Sequence, residues 1–102
     1  MKSYSLLIGA RNQRGTFRRK DEALVEKITA RHFPGGFTIL EAKGAWHDAG
    51  NEIFRREQAR QVLVCTSTPR KLNAWFRELG AALSQKELLV IEVGKVRRFR
   101  FG

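Results

Sequence analysis

Two helix-start signals fix the layout of this chain. Thr68 followed by Pro69 is one. Threonine can cap the free N–H groups of a first turn, and proline suits the first helical position, where an N–H has no partner to lose. Asp21 is the other, with Glu22 beside it to match the positive end of the helix dipole. After Asp21, Leu24, Val25, Ile28 and His32 or Phe33 recur on one helical face until Pro34-Gly35-Gly36 stops the run, which predicts a helix over 21–33. After Pro69, Leu72, Trp75 or Phe76, Leu79 and Leu83 recur in the same way and predict a helix over 69–84.

The remaining apolar segments have the length and bounds of strands. Tyr4 to Ile8 ends at Gly9. Phe37 to Trp46 and Ile53 to Thr66 flank a turn at Asp48-Ala49-Gly50-Asn51 and make a hairpin. Leu88 to Val93 is the last strand, followed by a basic extension. The order β-α-β-β-α-β is that of a ferredoxin-like split βαβ sandwich. The expected fold is therefore α+β, one domain over residues 1–102. Right-handed crossovers predict an antiparallel sheet of order 4-1-3-2 with both helices on one face. The loop after the first strand and the hairpin tip then share one end of the sheet, and the C-terminus lies at the other. The second strand places Phe37 and Ile39 on one face and Thr38, Leu40, Ala42 and Trp46 on the other. Neither face is polar, which predicts a homo-oligomer, a dimer or a trimer.

The single cysteine, Cys65, excludes an intrachain disulfide and fits a reducing compartment. Its apolar strand predicts inert core. No apolar run is long enough to span a bilayer, so the expectation is a cytoplasmic protein without a membrane partner.

Charge is segregated. The formal net charge is +10. The first twenty residues hold six Lys or Arg and no acid, the last nine hold four and no acid, and residues 21–93 are balanced. The first group includes Arg11, Arg14, Arg18, Arg19 and Lys20 in the segment after the first strand; the second includes Arg97, Arg98 and Arg100. Arginine donates two parallel hydrogen bonds to a phosphate, so these residues are the candidate surface for nucleic acid or another polyanion. In the tail, Phe99 alternates with arginines as a base-stacking ring does on a single-strand surface; the plainer reading is an edge strand with rings inward and charges outward. Gly9 and Gly15 are positions where backbone can approach a phosphate, but no P-loop or G-x-G-x-x-G is present.

Phe33-Pro34-Gly35-Gly36-Phe37-Thr38-Ile39, then Ala42-x-Gly44-x-Trp46, then Glu57, and Gln85 before the last strand, resemble a family of small bacterial proteins of unknown function. The family pattern is F-P-x-G-[LF]-T-[VI]-x-x-A-x-G-x-W with a later R-E. It implies no activity. The order of elements also resembles the PII-like and copper-tolerance-type signalling proteins, which implies ligand sites at the β2–β3 connection and at subunit clefts.

Trp46, His47 and Glu57 are the remaining candidates for stacking or ligand contact. His47 and Glu57 could face each other across the hairpin as a general-base pair, though no nucleophile accompanies them. Two histidines and one cysteine do not make a zinc site without carboxylates, and neither a metal nor a cofactor is expected. His32 reads as a helix-end cap and Trp75 as core. Three functions follow in order: a non-catalytic polyanion-binding protein, an oligomeric PII-like regulator taking a small anion or a protein, and an enzyme built on His47 and Glu57.

Overall fold

The computed structural model describes residues 1–10, 15–48, 50, 52–85 and 88–97. The elements are β1 (Lys2–Gly9), α1 (Arg19–His32), β2 (Thr38–Asp48), β3 (Ile53–Thr66), α2 (Pro69–Ala82) and β4 (Leu89–Lys95). Every strand pair is antiparallel and the order is β2-β3-β1-β4, the expected 4-1-3-2 read from the other edge.

The register explains the core. Tyr4 lies opposite Val64, and Leu6 opposite Val62, so these side chains share a face. That face meets Val25 and Ile28 of α1 and Leu72, Trp75 and Leu79 of α2 in one buried cluster. Each fully buried side chain of this kind contributes roughly 1.5–3 kcal/mol. Trp75 is fully buried, donates its indole N–H to Thr29 Oγ1 at 3.0 Å, and meets the edge of Phe33 with ring centroids 5.1 Å apart.

The boundaries differ from expectation in ways that have causes. α1 starts two residues before Asp21, with Arg18 at the cap position and Asp21 buried inside the first turn. α2 stops at Ala82 because Ser84 takes a φ of 52°, which no helix continues through. β4 runs on to Lys95 because a bulge opposite Ser3 and Tyr4, with Gly94 at φ 147°, realigns the pairing. Cys65 is a correction: it is exposed. Val62 and Val64 point to the helices, so strand alternation turns Leu63 and Cys65 to the other face.

Two features result. β3 pairs with β1 only from Ala59 onward, so residues 43–48 and 53–58 project past the sheet as a two-stranded arm roughly 20 Å long. This arm gives the molecule its extents of 54 × 25 × 23 Å. Phe54 on the arm is 73% exposed and touches His47, ring centroids 5.4 Å apart. The second feature is the helix-free sheet face. Leu40, Leu89 and Ile91 lie there at 43%, 54% and 45% exposure. Where all the strands overlap, between Thr38 and Gly44, Glu57 and Cys65, Ser3 and Gly9, and Leu89 and Ile91, this face carries one charge, Glu57.

Candidate functional site

The site lies where the β1–α1 segment folds back onto the base of the arm. Gln58 donates its backbone N–H to Gly15 O at 2.6 Å, and its side-chain Oε1 accepts the N–H of Phe17 at 2.9 Å. Gly15 is required here: its φ is +70°, and a Cβ would sit 2.7 Å from the Arg56 carbonyl. The close approach that this glycine permits is to β3. Phe17 is buried under Arg60, whose guanidinium stacks 4.7 Å from the ring centroid. Arg60 Nε donates to Glu22 Oε1 at 3.0 Å and NH1 to Ala59 O at 3.0 Å. One buried arginine thus ties the loop, α1 and β3 together. Arg60 is not among the residues that the sequence singles out. Its signal is phase: Arg60 shares a face with Val62 and Val64, where a charge needs partners.

A cleft of about 530 Å³ opens between this loop and the arm, lined by Gly15, Thr16, Lys43, Gly44, Ala45, Arg56, Glu57 and Gln58. Alternation puts Lys43, Ala45, Arg56 and Gln58 on the helix side of the ribbon. A second cleft of about 510 Å³ shares Lys43 and Gln58 and reaches Glu41 and Arg60. Lys43 and Arg56 are exposed cations, so the space suits an anion.

Glu57 also lines the first cleft, and strand alternation turns its side chain to the opposite face. It pairs with Gly44, whose added Cβ would lie 3.4 Å from Glu57 Cγ. A Cβ on Gly9 would lie 2.8 Å from Glu57 Oε1. Gln85 approaches the same spot, its side-chain N–H donating to Gly9 O at 3.5 Å. Gly44, Glu57 and Gln85, which carry the family resemblance, are therefore neighbours in space.

His47 pairs with Phe54, three positions from the Gly44–Glu57 pair and on the other side of the ribbon. Strand register does not form the general-base pair that the hairpin had suggested. Trp46 stands opposite Arg55 on the arm. His32 does more than cap α1: its ring bonds Glu78 of α2 at 3.1 Å, and Arg31 bonds the same carboxylate. Those bonds, first from His32 and then from Arg31, hold the Glu78 carboxyl below its usual range. Among the described residues, no three side chains of His, Cys, Asp or Glu gather as a metal site. Among these residues no helix is long and apolar enough to cross a membrane either.

Arg18, Arg19 and Lys20 are exposed at the start of α1, where the helix dipole disfavours cations. Arg97 is exposed beyond β4. Lys95 pairs with Lys2 and Val96 donates to Met1 O, so this second basic segment begins at the far end of β1, roughly 25 Å from the first. Arg11, Arg14, Arg98, Phe99 and Arg100 lie outside the described residues.

Solved structures share the fold. A phage SAM lyase in complex with S-methyl-5'-thioadenosine is 15% identical, with a TM-score of 0.62 over 87% of this chain and 77% of that one. The periplasmic divalent cation tolerance protein CutA from Archaeoglobus fulgidus is 12% identical, with a TM-score of 0.63 over 96% and 88%. The GlnK–ATP complex of B. subtilis is 7% identical, with a TM-score of 0.55 over 90% and 82%. At such identities the likeness is one of fold. No curated protein matches the sequence. One family model does, over residues 4–87, a span that contains both helices and the residues around Glu57; the chain belongs to the family described as Protein of unknown function (DUF3574).

Proposed function

We propose that this chain is a non-catalytic, homo-oligomeric regulator-type module that assembles through its helix-free sheet face and takes a small anion in the cleft beside the arm. The observation that carries this reading is the open face. Acidic and basic residues make up 29% of the chain, yet where the strands overlap this face holds a single charge and exposes Leu40, Leu89 and Ile91. A surface kept apolar in so charged a protein is one that meets another protein surface. The projecting arm supports the same reading, because an isolated two-stranded ribbon has little stability of its own and gains it by docking.

The anion is the second part. Lys43 and Arg56 line the cleft together with Gly15 and Thr16 of the loop. GlnK, a relative in fold, is solved with ATP, which makes ATP the first anion to test. Saturable binding that weakens about tenfold or more in Lys43→Ala/Arg56→Ala supports the site. Equal binding by that variant overturns it.

A nucleic acid uses the charge differently. Its phosphates have to bridge the roughly 25 Å between the basic segments of one protomer, or run across several protomers. Binding of arbitrary RNA or DNA with a steep salt dependence, without saturable ATP binding, replaces the small-anion reading with that one.

A further inference from the structure

We infer that the anion taken by the cleft beside the arm is a nucleoside 5'-phosphate, its base stacked on Phe54 and its phosphates on Arg56 and Lys43. This rests on the small-anion reading of that cleft and names the chemistry of the anion. A row of side chains carries it. β2 and β3 pair Lys43 with Gln58, Ala45 with Arg56 and His47 with Phe54. These rungs are two residues apart on each strand, so alternation turns all of them to the helix side of the ribbon. The row runs from cations at the cleft to an aromatic pair further out on the arm. Successive rungs lie about 7 Å apart, and the row spans about 14 Å. One nucleotide matches that order. The base takes the outer rung, the sugar crosses Ala45, the small member of the middle rung, and the phosphates reach Arg56 and then Lys43. Gln58 adds a donor beside Lys43, because its side-chain oxygen accepts the N–H of Phe17 and its amide N–H groups remain.

Both ends of the row point to a ligand. Among the described residues, the side chains of Lys43 and Arg56 have no ion pair or hydrogen bond. Glu57 is the one acid among the described residues that line the cleft, and its side chain turns to the other face. Phe54, at 73%, is the most exposed of the described large apolar side chains. It stands on the side of the ribbon that a second copy seated on the helix-free face leaves open. Its ring meets that of His47 at 60°, with centroids 5.4 Å apart, so the two rings make a corner. A flat base stacked on one ring meets the edge of the other, and both contacts are favourable for aromatic groups. Rings under bases with cations at phosphates is how nucleotides are held at an open surface. An inorganic anion makes no use of Phe54. A long single strand needs rings repeated along its path, whereas the described residues on this side of the arm supply one aromatic rung, the length of one nucleotide.

The test is calorimetric titration of the full chain with ATP, tripolyphosphate and adenosine at constant ionic strength. ATP is expected to bind about tenfold or more tightly than tripolyphosphate, the advantage that stacking one base confers. Adenosine, which lacks the phosphates, is expected to bind at least about tenfold more weakly than ATP. Phe54→Ala should erase the advantage of ATP and leave tripolyphosphate unchanged, while Phe54→Trp should keep it. In proton NMR spectra the adenine H2 and H8 resonances should move upfield with the parent and not with Phe54→Ala. Light scattering on the same samples should give the parent's mass for both variants. Tripolyphosphate binding as tightly as ATP overturns the inference and leaves the small-anion reading standing. Binding of neither overturns both. A Phe54→Ala variant that keeps the advantage of ATP overturns the inference, and so does one that loses it together with the parent's mass, because Phe54 is then an assembly contact.

Discussion

Gly15→Ala is the substitution that most sharply tests how the loop is held. Two costs add at this position. An L-residue at φ +70° gives up roughly 1–2 kcal/mol. The new Cβ also meets the Arg56 carbonyl at 2.7 Å, and that oxygen is sheet backbone, which cannot swing aside as a side chain can. The loop must move instead, and the Gln58 N–H···O=C Gly15 bond is then weakened or lost, at about 0.5–1.5 kcal/mol. The expected loss is about 2–3 kcal/mol, read as a lower urea midpoint at unchanged slope. Gly35→Ala is the control: a Cβ there meets nothing within 4 Å, and its φ is not positive, so its midpoint should match the parent within about 0.5 kcal/mol. Gly15→Ala with the same midpoint as Gly35→Ala refutes the reasoning, because it means that the loop is not seated against β3.

Other consequences are measurable with the same tools. Trp75→Phe should cost about 1–3 kcal/mol by orphaning the buried Thr29 hydroxyl, and adding Thr29→Val should recover part of that loss in urea unfolding. The Glu78 carboxyl is held below its ordinary value of 4.5, so its contribution is present above that pH and is lost as pH falls through the lower folded value. Urea midpoints taken from neutral pH down to about pH 3 should therefore fall less steeply in Glu78→Gln than in the parent. Cys65 lies on the open face, so its reaction with a maleimide should slow as protein concentration rises and copies cover it; a rate independent of concentration counts against that face as the interface.

How much of this was legible before folding depends on the range of each interaction. The helix at Thr68-Pro69 was legible because capping chemistry is local, and the sheet order followed from the alternation of elements. Cys65 was not, because Val62 to Cys65 reads as one apolar run, while a half-covered sheet sorts it into alternating faces. The role of Arg60 depends on Phe17 and Glu22, which reach it only after the loop has turned back. His47 and Glu57 are near in sequence, and a general-base pair was a fair expectation. Register decides against it, because neither residue is the other's cross-strand partner. The gathering of Gly9, Gly44 and Glu57 is likewise a product of register and has no local signal.

Assembly through the helix-free face is read from the mass in solution, by light scattering across the micromolar range. The parent is predicted to give two or three times the 11.7 kDa of one chain, and Leu40→Glu/Ile91→Glu, which places two acids on that face without touching the core, is predicted to fall to 11.7 kDa. A parent that stays at 11.7 kDa throughout, or a double variant that keeps the parent's mass, contradicts the account.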